Sequence, residues 1–63
     1  MDKAYWQAKI ADARRRQGKW LGRYRHAVKA GDTYSTSLAL ECVRRWAAYT
    51  HYYTIRLKEV AAN

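Results

Sequence analysis

Two apolar stripes of helical period, separated once by Lys29-Ala30-Gly31-Asp32, point this chain to a hairpin of two long helices. In the first block Trp6, Ile10, Ala13, Gln17, Trp20, Tyr24 and Ala27 follow alternating four- and three-residue steps, with Leu21 and Val28 beside them. Gln17 is the only polar member. In the second, Ala39, Cys42, Trp46, Tyr49, Tyr53, Leu57 and Val60 make a similar stripe, widened by Leu38 and Val43. At about 100° per residue each set falls on one side of a helix, the mark of an amphipathic element. The chain contains no proline, so nothing in either block forbids a long helix.

The punctuation between the blocks is the stretch "KAGDTYSTS". Gly31 suits the left-handed position just past a helix end, and Asp32 or Thr33 can cap the next helix by accepting a hydrogen bond from a free backbone N–H. Ser35, Thr36 and Ser37 are competing caps. The expected fold is therefore all-α: a helix over about 3–30, a turn over about 31–34 and a helix over about 35–61, in a single domain. Two alternatives compete with it. Gly18 and Gly22 each weaken a helix by ~1 kcal/mol relative to alanine, so a kink near Gly18 would give three helices. Alternatively, "KWLGRYRHAV" and "TYSTSLAL" would be strands joined at "KAGD", since Tyr, Trp, Val and Thr favour extended backbone. The helical stripe runs straight through both glycines, whereas strict alternation is poor.

At 63 residues the core is small. Ordering the chain costs roughly 1.5 kcal/mol per residue, which one small core barely offsets. Cys42 is the only cysteine and no Cys/His spacing suits zinc, so neither a disulfide nor a metal is expected to help. Association with another chain remains. Tyr52, Leu40 and Ile55 point away from the second stripe, as expected of a helix buried on a second side. These features favour a homodimer, the hairpins pairing into a four-helix bundle. The layout is similar to that of Rop-type hairpins, which pair into four-helix RNA-binding dimers. The likeness is one of architecture, and no residue roles are carried over from it.

Charge is divided unequally. Residues 1–31 hold nine Lys and Arg against Asp2 and Asp12, while residues 32–63 hold four against Asp32, Glu41 and Glu59, within a net charge of +8. The first helix carries the field. Arg15, Arg16, Lys19, Arg23, Arg25, His26 and Lys29 project to the side opposite Trp6, Ile10 and Tyr24, together with Gly18 and Gly22. Such a face also serves solubility, because long basic side chains cover apolar surface with their stems. Like charges three and four residues apart repel unless an anion compensates. Arg15, Arg16, Lys19, Arg23, Arg25 and Lys29 are therefore the candidate contacts to nucleic acid phosphates, DNA or RNA. A row of Arg and Lys positions a protein on the backbone without reading bases, so little sequence specificity is expected.

The competing partner is an acidic protein surface, as for a small phage- or plasmid-encoded inhibitor or adaptor binding a host protein. Tyr, Trp and Arg are the preferred anchors of such interfaces. Trp6, Ile10, Trp20, Tyr24, Cys42, Trp46, Tyr49, Tyr53 and Leu57 are assigned to the core or an interface, and base stacking on exposed aromatics is the lesser expectation. No carboxylate pair, glycine-rich phosphate loop or Ser/His/Asp set suggests an active site, and Cys42 reads as a small core residue. A non-enzymatic protein with no cofactor and no metal is expected. The N-terminus has no continuous apolar segment of a signal peptide, and no stretch approaches the ~20 apolar residues of a membrane span. Pairing within the hairpin would hide the apolar stripe of the first helix from a lipid surface. The expected location is the cytoplasm.

Overall fold

A computed structural model describes residues 2–62. Helix α1 spans Lys3–Ala30 and helix α2 spans Thr33–Ala62, packed side by side as a hairpin. No strand occurs among the described residues, so the extended reading of "KWLGRYRHAV" and "TYSTSLAL" is overturned. Helix α1 continues through Gly18 and Gly22, which removes the three-helix alternative. Thr33 already lies in α2, two residues before the expected start.

Local hydrogen bonding explains each boundary. Asp2 caps α1 by accepting the Tyr5 N–H at 3.0 Å. At the other end Gly31 has φ of 71°, the left-handed region where a Cβ is strained. That conformation lets the Gly31 N–H donate to the Val28 carbonyl at 3.1 Å and the Asp32 N–H to the Ala27 carbonyl at 3.0 Å. Two otherwise orphaned carbonyls are thereby satisfied. Asp32 then opens α2. Its carboxylate accepts the Ser35 N–H at 3.0 Å and the Ser35 hydroxyl at 2.7 Å, and its carbonyl accepts the Thr36 N–H at 2.9 Å. One residue closes one helix and starts the next, so the turn needs no more than Gly31 and Asp32.

The Ser35 backbone N–H, and then the Ser35 hydroxyl, hold the Asp32 carboxyl below its ordinary aspartate value. Its contribution to stability is complete above the ordinary carboxylate range and is lost as pH falls through the depressed folded value, because the unfolded chain binds the proton first. Asp32→Asn retains a capping oxygen but cannot titrate. Thermal melts from neutral pH down to about pH 2 should fall less steeply for Asp32→Asn than for the wild type, leaving the acid sensitivity of the other carboxylates. Parallel curves would mean that the cap does not survive in solution.

Two helices share only one line of contact, and the core reflects it. The hairpin measures 49 × 13 × 12 Å. Trp6, Ile10, Ala13, Ala27 and Ala39 are buried, and the three alanines are the most enclosed of them. Small side chains let the backbones approach, while Trp6 and Ile10 fill the open end. Of the other residues assigned to the core, Trp20, Tyr24, Cys42, Trp46, Tyr53 and Leu57 are half-buried, and Tyr49 is 42 % exposed. Val28 and Leu38, expected beside the stripes, are also exposed.

The cause lies in the rotation of α2. Ala47, Thr50 and Thr54 are half-buried although two are polar, because the threonine hydroxyls donate to the carbonyls of Trp46 and Thr50 at 2.9 and 2.7 Å. With their polar groups satisfied internally, these short side chains can face α1. The turn of α2 toward Thr50 and Thr54 carries Tyr49 and Leu38 outward. Leu40 comes inward to a half-buried position, while Tyr52 and Ile55 stay exposed as expected.

Gly18 and Gly22 sit mid-helix, where a Cβ at either would meet nothing within 4 Å. Alanine at each should therefore stabilise the hairpin by roughly 0.5–1 kcal/mol, through lost freedom of the unfolded chain. The double variant should melt several degrees higher, on the scale of ~4–8 °C per kcal/mol for a domain of this size. A lower melting temperature would show that the glycines relieve a strain in α1.

Candidate nucleic-acid interface

The basic residues of α1 form a second stripe displaced by one residue from the apolar one. Lys9, Arg16, Lys19, Arg23 and His26 each precede Ile10, Gln17, Trp20, Tyr24 and Ala27. A displacement of one residue is a rotation of about 100°, so this stripe runs beside the helix seam rather than opposite it. Three of its cations lie over aromatic rings. Arg16 places its guanidinium 5.0 Å from the centre of the Trp46 ring on α2, and Arg23 lies 4.6 Å from that of Trp20. The Lys9 ammonium is 5.7 Å from the Tyr5 ring and 5.9 Å from Tyr53 on α2.

Arg15, Arg16, Lys19 and Arg23 are thus brought together with Trp20 and Trp46 around an open cleft of about 390 Å³. Toward the turn, Lys19, Trp20 and Arg23 are shared with a larger cleft of about 650 Å³. His26 and Gly22 line this second cleft from α1, with Leu38 and Ala39 across from them on α2. The absent side chain at Gly22 leaves its mouth open. Arg25 and Lys29, also candidate contacts, line neither cleft. Arg25 follows Arg23 by two residues and so points about 160° away. The single continuous face expected on α1 is a girdle, of which one side borders α2.

Asp12 belongs to the same stripe and mixes the sign of the face. Its carboxylate accepts from Arg15 at 2.6 Å and from Arg16 at 2.9 Å. The hydrogen bond from Arg15 does most to hold the Asp12 carboxyl below its ordinary value; desolvation opposes it, and the hydrogen bond from Arg16 and the charges of both guanidinium groups add to the lowering. Both pairs are solvent-exposed, where salt screens them and they stabilise little. Their effect is geometric: Asp12 holds two guanidinium groups at the lip of the cleft. Lys19, Arg23, Arg25 and Lys29 form no ion pair among the described residues.

On α2 the outward turn creates a ladder of rings along the same side of the seam. Trp46 and Tyr49 lie 5.2 Å apart, Tyr49 and Tyr53 stack at 6.1 Å with planes 13° apart, and Tyr53 meets Trp6 at 6.0 Å. The apolar stripe assigns Trp46, Tyr49 and Tyr53 to the core or an interface, and here their rings border the basic stripe. Sequence reasoning missed Lys9 and the placement of Trp20 and Trp46 beside the cations. The displacement of the basic stripe by one residue is the signal that reveals it.

No group of three or more His, Cys, Asp or Glu side chains suited to a metal ion occurs among the described residues. Cys42 is a free, half-buried thiol. Among the described residues no helix is long and apolar enough to cross a membrane. The chain matches no family model, no curated protein and no solved structure.

Proposed function

We propose that this protein is a non-enzymatic nucleic-acid-binding protein that contacts phosphates through the basic side of α1, with little sequence specificity. The observation that carries this reading is the cleft in which Arg15, Arg16, Lys19 and Arg23 converge, with Asp12 the acid that pairs with two of them. Guanidinium groups at its lip suit phosphate oxygens, for which Arg offers paired N–H donors. Arg25 and Lys29 add field from farther round the helix. The chemistry required is binding alone. A salt titration with nucleic acid tests it: micromolar or weaker binding that is indifferent to salt refutes phosphate contact.

Self-association is a companion reading, favoured by the outer face of α2. Tyr34, Ala48, Tyr52 and Ile55 are exposed there at helical spacing, interrupted by Glu41, Arg45 and Glu59. Two hairpins pairing through this face would form a four-helix bundle with both α1 helices outermost. Light scattering decides: a monodisperse monomer removes the bundle. Docking of the same apolar face on a host protein, from a cytoplasmic phage- or plasmid-encoded chain, is the alternative use. A partner that stays bound after nuclease treatment would support it.

A further inference from the structure

We infer that the nucleic acid recognised is single-stranded, its phosphates running along the basic stripe of α1 while its bases stack on the ring ladder of α2. This inference rests on the phosphate-binding reading above and names the form of polyanion that fits the site. Lys9, Arg16, Lys19, Arg23 and His26 make one bank, and Trp46, Tyr49 and Tyr53 make the other, joined where Arg16 covers Trp46 and Lys9 covers Tyr53. From Lys9 to His26 the stripe rises about 25 Å along α1. At 3.4 Å per stacked nucleotide that length accommodates about seven nucleotides.

Charge and aromatic surface together select the ligand. A duplex offers phosphates but keeps its bases stacked inside, so it would use the cations and leave Tyr49 in water. A single strand carries both phosphates and exposed flat bases, the combination met by grooves that join a basic track to aromatic platforms. Tyr49, at 42 % exposure, already stacks on Tyr53 and continues the ladder outward. Arg16 lies over one face of Trp46 and Lys9 over Tyr53, so the cations meet phosphates along the seam while a base meets the ladder on its exposed flank at Tyr49. A second copy of the chain is the poorer occupant of this groove. It would bring its own cations against these, in a protein whose net charge is +8.

The experiment uses the full chain with three probes at the same salt: a twelve-residue oligothymidylate, a DNA duplex of the same length, and inorganic polyphosphate. Affinities are read by titration, and stacking by quenching of tryptophan fluorescence. The single strand should bind at least ~10-fold tighter than the duplex, with quenching that polyphosphate does not produce. Tyr49→Leu and Trp46→Leu should each weaken the single strand by about 10-fold and leave duplex and polyphosphate binding unchanged. Circular dichroism checks that each variant remains helical. If Trp46→Leu unfolds, the exposed Tyr49 and the wild-type comparison of strand and duplex still decide. Equal binding of strand and duplex, with no loss in Tyr49→Leu, overturns stacking and leaves phosphate binding standing. Binding of none of the three probes overturns both. A dimer that Tyr49→Leu dissociates also overturns the inference, by giving the ladder to a second copy.

Discussion

Trp6→Ala is expected to leave the chain largely unfolded at room temperature. Trp6 is one of the few large side chains that the hairpin buries, and it sits at the open end, where no covalent turn holds the helices together. Its ring meets Tyr5 edge-on at 4.9 Å, Tyr53 at 6.0 Å and Tyr52 at 6.4 Å, and Arg56 from α2 lies 5.6 Å from its centre. Truncating a buried tryptophan to alanine costs about 3–5 kcal/mol. A single small core of this size rarely supplies more than about 3–5 kcal/mol in total, so the loss is comparable to the whole stability. Helical circular dichroism should collapse in Trp6→Ala and persist in Trp6→Phe, which keeps a ring in the gap. A Trp6→Ala variant that melts near the wild type would show that the open end frays in solution and that the stability resides near the turn.

The second large effect is on binding. With six phosphate contacts, affinity for duplex DNA should fall roughly 1,000-fold between 50 and 200 mM salt, because each neutralised phosphate releases condensed counterions. Reversal of Lys19, Arg23 and Lys29 to Glu should remove the two cleft contacts of Lys19 and Arg23 and the more distant field of Lys29, reducing the logarithmic salt slope by at least about two. Each reversal also lowers the net charge of +8 by two units. Arg15 and Arg16 are poorer choices, since reversing either would set two carboxylates against each other at Asp12. Helicity should survive because Lys19, Arg23 and Lys29 are exposed and form no ion pair among the described residues. An unchanged slope in the triple variant would place the phosphate contacts elsewhere on the chain. Loss of helicity would mean that these side chains hold the helices together through their stems.

Both helices and the turn were legible in the chain because they depend on neighbours in sequence. The stripe from Trp6 to Ala27 is an i, i+3, i+4 pattern, and Gly31 with Asp32 satisfies backbone groups within five residues of themselves. The candidate site was legible only in part. Arg15, Arg16, Lys19 and Arg23 were found by their charge, and the clefts do gather them. Charge on a helical projection groups Arg25 and Lys29 with them, because it carries no information on which flank meets the other helix. Net charge treats Asp12 as one acid among many cations, although three- and four-residue spacing to Arg15 and Arg16 makes it their immediate neighbour.

Two amphipathic helices joined at Gly31 and Asp32, with positive charge concentrated on the first, follow from the order of residues alone. Periodicity, capping and glycine geometry are local, so no distant contact had to be known. How far α2 turns about its own axis depends instead on contact between the two helices. That rotation is set by packing of Thr50, Thr54 and Ala39 against α1, with the threonine hydroxyls bonded to their own helix. It exposes Tyr49 and sets Trp46 and Tyr53 beside Arg16 and Lys9, so that rings which hydrophobicity assigns to the core or an interface border the cations of α1.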